Sequence, residues 1–220
     1  CLFFSLPLWK RFEAQPTQQS ETYQSVSLRT LIKRPGAKSA LMAFFCYCAV
    51  ELTTGLWGSS FLVLSKGVST EIAAKWISLY YLGITVGRFL AGFMAVRLNN
   101  QKMIRLGQFI CLGGVILLLI PASTNFQLFG FILIGLGCAP IYPAMLHETP
   151  NRFGKEWSQS IMGIQMATAY VGSTFVPPLF GILAKAIGFN GLPFFLLILI
   201  VMMLVTSEAV NRLCQEKLED

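Results

Sequence analysis

Charge is scarce in this sequence: Asp, Glu, Lys and Arg make up 12% of its 220 residues, about half the share a soluble domain carries. So few charges cannot clothe a water-exposed surface, and those present gather in short islands between long apolar runs. One histidine and ten acidic residues leave little from which to build a catalytic set. No Ser/His/Asp constellation, Walker loop or acid–histidine cluster is present, so an enzyme is disfavoured and no cofactor is expected. His147-Glu148 opens a string like that of the zinc proteases, but Asn151 stands where a second His is needed; the pair is expected to lie solvated at a helix end. Gly135-Leu136-Gly137 has no preceding strand and no third glycine, which excludes a dinucleotide fingerprint. The cysteines (Cys1, Cys46, Cys48, Cys111, Cys138 and Cys214) show no framework spacing. Four lie in apolar runs, where Cys acts as a small hydrophobe, and Cys46 and Cys48 point apart on a helix, so neither disulfides nor a metal is expected. The net charge of +7 is spread over separate loops rather than along one stripe, which argues against nucleic acid.

What the sequence has instead is apolar length. A membrane-spanning helix needs about 20 mostly apolar residues, and six runs meet that: 39–64, 72–96, 103–121, 126–146, 158–185 and 190–210. The fold expected is therefore an all-α membrane protein with a six-helix transmembrane bundle over 39–210. Residues 1–9 read as the end of a truncated span, 10–38 as a polar loop containing EAQPTQQSETYQS, and 211–220 as a tail. SLRTLIKRPG, residues 27–36, suits a short helix on an anionic lipid surface. Lys and Arg number thirteen in the long loop, alternate connections and tail, against three (Lys66, Lys75, Lys185) on the other side. That asymmetry puts the loop and the C-terminus in the cytoplasm. The remaining connections, SKGVSTE, PASTN and IGFNG, are too short for an external binding domain, so function must lie within the bundle or on its cytoplasmic side.

Charges inside a span cost at least about 2.5–3.5 kcal/mol each, and two stand out. Glu51 is about 18 Å from either end of its run, too deep to reach the interface. Tyr47, Thr54, Gly55 and Gly58 share its face at helical spacing. A desolvated carboxyl suits the loading and release of a proton, with a structural acid as the plain alternative. Arg88, in the next span, follows Tyr81 and Thr85 on one face and reads as a gating or structural residue. Gly83 and Gly87 form a GxxxG pair that allows close helix contact. Pro140 and Pro143 each remove a backbone donor and are expected to bend their helix at membrane depth. Gln165, Thr168, Tyr170 and Ser173 make the fifth span polar, with Gln165, Thr168 and Gly172 on one face and Tyr170 pointing elsewhere; these neutral groups are hydroxyl binders or packing glue. Trp57 is a sugar-stacking platform or an ordinary packing aromatic.

YYLGITVGRFLAGFMAVRLNNQKMIRLG, residues 80–107, resembles the repeated signature joining helices 8 and 9 of the major facilitator superfamily. It departs at Asn99-Asn100, where an acidic residue followed by a base is common. YCAVELTTGLW (47–57) and GLGCAPIYPAMLHETP (135–150) are similar to the fucose:proton symporter branch. The resemblance implies helices 7–12 plus the end of helix 6, an N-terminal half lying upstream, alternating access around a central cavity, and a sugar-like cargo with proton coupling. On that reading the partners are the lipid bilayer, a small solute and protons. The residues themselves put Glu51 at the cavity as a proton-coupling or substrate-binding acid, with Tyr47, Trp57, Tyr81 and Gln165 as cavity groups; the resemblance implies that the upstream half supplies much of the binding site and often a coupling acid, which would make Glu51 an accessory residue. Efflux of amphipathic compounds and a non-transporting sensor are the rival readings.

Overall fold

The computed structural model describes residues 28–121 and 124–219; the expected stub at 1–9 and most of the polar loop lie outside them. A short helix, α1 (Leu28–Ile32), precedes six long ones: α2 (Ala37–Lys66), α3 (Thr70–Met94), α4 (Asn100–Leu119), α5 (Thr124–Phe153), α6 (Lys155–Ile187) and α7 (Leu192–Glu219). All six are long and apolar enough to cross a membrane. The apolar runs dictate them, because backbone polar groups in lipid can be satisfied only within the helix itself. Local signals set the ends. Ser69 and Asn99 accept from the backbone N–H groups of Ile72 and Lys102, capping α3 and α4. Gly67 closes α2 in the left-handed region (φ 67°), where a side chain would be strained. Gly154, also at positive φ, is the break between α5 and α6.

The helices pack as two groups, α2 with α6 and α7, and α5 with α3 and α4; α4 against α7 and α2 against α3 join them. Missing side chains permit the closest contacts. A Cβ on Gly114 would lie 2.7 Å from the Gly130 carbonyl oxygen, and one on Gly107 would lie 2.5 Å from that of Gly137. The backbones of α4 and α5 thus meet through two glycine pairs, each seven residues apart along its helix. Gly83 and Gly87, expected at a helix contact, face α5 at Ile132, Leu136 and Ala139.

Three expectations need correction. Helix α5 runs unbroken past Pro140, Pro143 and Pro150 to Phe153, so Arg152 belongs to the helix rather than to a loop. Leu31 of α1 is buried against Phe153, Ile161 and Val210, and Arg34 lies 3.9 Å above the Trp157 ring. At these residues the segment packs on protein, not on lipid. Glu148 is buried, not solvated: it accepts from Asn100 (3.0 Å), Gln101 (3.1 Å) and Asn151 (3.2 Å). Its neighbour His147 is exposed. Around it, Arg152 donates to Asn211 and Arg105 forks onto Glu208 at 2.5 and 2.6 Å. This polar layer ties α4, α5 and α7 together at the end of the bundle that is rich in basic residues.

Candidate functional site

Glu51 sits halfway along α2, and its carboxylate is partly covered, with 18% of the side chain exposed. Arg88 of α3 approaches it, Nη2 to Oε1 3.6 Å, with 58% of the arginine side chain exposed. The two charges that strained the membrane reading are therefore partners, which sequence spacing could not reveal across 37 positions. Tyr80 anchors the junction by donating to the Glu51 backbone carbonyl at 2.9 Å.

The stripe expected beside Glu51 divides. Tyr47, Thr54 and Gly58 are buried and turn into the bundle: Tyr47 packs on Tyr142 at 5.9 Å, and Gly58 meets Ile77 and Phe131. Gly55 stays on the open side, where the Tyr81 hydroxyl occupies the room a Cβ would need. Leu52, Gly55, Leu56 and Tyr81 line a cleft of about 330 Å³ with Ser173, Thr174, Pro177 and Pro178 of α6. The prolines have a consequence for its chemistry. Neither carries an N–H, so the carbonyls four residues back, at Ser173 and Thr174, lose their helical donors. Tyr81, itself half exposed, thus shares the cleft with the two residues whose carbonyls lose those donors. Sequence reasoning weighted Pro140 and Pro143 and did not single out the Pro177-Pro178 pair that lines this cleft. A larger hollow of about 600 Å³, lined by Phe93, Met94, Val96, Arg97 and Leu98, is almost wholly apolar and includes neither Glu51 nor Arg88.

Two expected cavity groups are engaged elsewhere. Trp57 donates its indole N–H to the Pro177 carbonyl at 2.8 Å and packs against Phe180 and Phe189. It is a brace between α2 and α6, not an open stacking face. Gln165 is buried and accepts from Thr149 at 3.0 Å, off the open side. Thr168 and Ser173 spend their hydroxyl protons on the carbonyls of Ile164 and Tyr170, whereas Tyr170 itself is 72% exposed. No group of three or more His, Cys, Asp or Glu side chains suited to a metal occurs among the described residues. Among the described residues no cysteine forms a disulfide.

Similarity to known proteins fits this geometry. The chain is 27% identical over 189 residues to Bypass of stop codon protein 6 of Saccharomyces cerevisiae, covering 81% of this chain and 37% of that protein. It is 28% identical over 153 residues to a glucose/galactose transporter of Brucella abortus, covering 68% and 36%. The chain thus spans little more than a third of the length of the curated relatives it matches. Among solved structures, the transporter FucP in its outward conformation superposes with a TM-score of 0.73 at 16% identity, covering 88% of this chain and 47% of that one. The POT family transporter PepTSo gives 0.68 at 20% identity, with 81% and 37% covered; both likenesses are of fold. The family model for the Major Facilitator Superfamily matches residues 12–211. Six apolar helices in this arrangement and a family match over nearly the whole chain place the protein in the Major Facilitator Superfamily.

Proposed function

We propose that this chain is one six-helix half of a secondary active transporter that moves a small hydroxylated solute, such as a sugar, across the cytoplasmic membrane. Transport is by alternating access and is proton-coupled, with Glu51 as the coupling acid. The observation that carries the reading is the open polar face: the Glu51–Arg88 pair beside a cleft with two freed carbonyls and an exposed phenol. In a membrane span such groups are tolerated where they line a watery path, and are costly against lipid. A hydroxylated solute supplies the donors that the Ser173 and Thr174 carbonyls lack. The printed name of the Brucella relative, a glucose/galactose transporter, supports a sugar. A second six-helix half would close the cavity from the other side, with the basic end of the bundle and the C-terminus in the cytoplasm.

The test is uptake by the full-length protein in proteoliposomes. A radiolabelled hydroxylated solute, with glucose and galactose the first to be tried, should accumulate under an inward-directed proton gradient, and Glu51→Gln should remove the effect of the gradient. Uptake and pH dependence both unchanged in Glu51→Gln would reject the coupling role. Binding without any flux would favour a sensor.

A further inference from the structure

Arg88 is the most under-partnered charge on the open face. Among the described residues its one ionic contact is the 3.6 Å approach of Nη2 to Glu51, too long and too one-sided to be the fork a guanidinium makes with a carboxylate. Among the described residues the guanidinium makes no hydrogen bond. Five N–H donors within a membrane span thus look outward with more than half the side chain exposed. Arg105 shows what this chain builds when an arginine is structural: a two-point fork on Glu208 at 2.5 and 2.6 Å. Arg88 is held loosely instead.

We propose that Arg88 binds the carboxylate of the transported solute, so that the cargo is a hydroxylated acid of the sugar-acid class rather than a neutral sugar. This deepens the transport reading above and rests on it. In the empty site Glu51 is the counter-ion of Arg88. When a proton from the aqueous phase adds to the Glu51 carboxylate, the pair loses its negative member and the guanidinium is free to fork onto an incoming carboxylate. Solute and proton leave together on the far side, and the ion pair reforms. One positive and one negative charge cross, so the cycle moves no net charge. Proton and anion thereby favour each other's binding without touching. The other ionisable side chains near Glu51 are phenols and thiols: Tyr47 and Cys48 on α2, Tyr80 and Tyr81 on α3, Cys138 and Tyr142 on α5. Tyr142 is also within reach of Tyr170 on α6. None of these can take over as counter-ion to Arg88, so the exchange falls to the solute. The cleft carbonyls and Tyr81 then meet the hydroxyls of the same molecule.

Full-length protein in proteoliposomes decides this with two probes, glucuronate and glucose. The proposal expects glucuronate uptake to rise with an inward proton gradient and to be indifferent to a potassium–valinomycin potential. It expects Arg88→Gln to lower glucuronate uptake by about tenfold or more, the scale of a lost charge-assisted fork. Arg88→Lys, a point charge without the fork, should retain an intermediate rate. Glucose carried with no glucuronate flux or competition overturns the proposal and leaves the transport reading standing; neither solute carried overturns both. Glucuronate uptake driven by membrane potential also overturns the electroneutral exchange. Should Arg88→Gln fail to fold, the wild-type potential dependence and Arg88→Lys decide alone.

Discussion

Removing either member of the Glu51–Arg88 pair should weaken the fold slightly, and removing both should cost no more than removing one. At the observed 3.6 Å, two unit charges attract by about 1.2 kcal/mol in water and about 4.6 kcal/mol at an effective dielectric of ~20. The arginine is 58% exposed, which puts the pair near the watery limit, so a coupling of about 1 kcal/mol is expected. With about 2.1 cal/mol/K of unfolding entropy per residue, that corresponds to about 2 °C in Tm for a bundle of this size. The assay is a double-mutant cycle of Glu51→Gln, Arg88→Gln and the double variant, followed by thermal unfolding in detergent. A thiol-reactive dye serves as reporter, because Cys46, Cys111 and Cys138 are at most 1% exposed when folded and become reactive only on unfolding. Strictly additive losses, within about 0.3 kcal/mol, would refute the pairing and with it the idea that Glu51 holds Arg88 between transport events.

Gly114→Leu should lower the unfolding temperature, because its Cβ alone would lie 2.7 Å from the Gly130 carbonyl, an overpacking of about 1–3 kcal/mol or more. Gly113→Leu, with nothing within 4 Å, is the matched control and should be tolerated. Glu148→Ala should cost about 1–3 kcal/mol, since Asn100 and Gln101 lose their acceptor; an unchanged thermal transition would contradict a buried network. Trp57→Phe should cost about 1 kcal/mol through the lost bond to Pro177 and leave solute affinity nearly unchanged. A large rise in KM with unaltered stability would return Trp57 to the binding site.

Much of the fold was legible because a spanning helix needs apolar length, and length can be counted along the chain. The run expected at 39–64 became Ala37–Lys66 and that at 103–121 became Asn100–Leu119. The fourth span, α5, was cut short, at 146 instead of Phe153, because His147, Glu148 and Pro150 look like a loop when only local polarity is weighed. What satisfies Glu148 is Asn100 and Gln101 on another helix, and a sequence carries no sign of a partner 47 or 48 positions away. The same limit governed the site. Glu51 and Arg88 were each visible as costly charges, but not as neighbours. Helical periodicity put Gln165, Thr168 and Gly172 on one face without saying which helix that face meets. The structure turns Gly172 onto the Phe45 carbonyl and Gln165 onto Thr149, both away from the open side. Tyr81 stayed half exposed because α3 packs chiefly on α5 through its glycine face and to a lesser extent on α2.

The central claim is that the surface bearing Leu56, Tyr81 and Ser173 borders water inside the membrane. Single cysteines at these three positions in the full-length protein, with Gln165→Cys as the buried reference, would be probed with a hydrophilic, membrane-impermeant thiol reagent. Rapid labelling is expected at all three, slowed by solute, and none at 165. Labelling by a lipid-soluble maleimide alone would mean that this face is turned to hydrocarbon, and the transport pathway would have to be sought elsewhere.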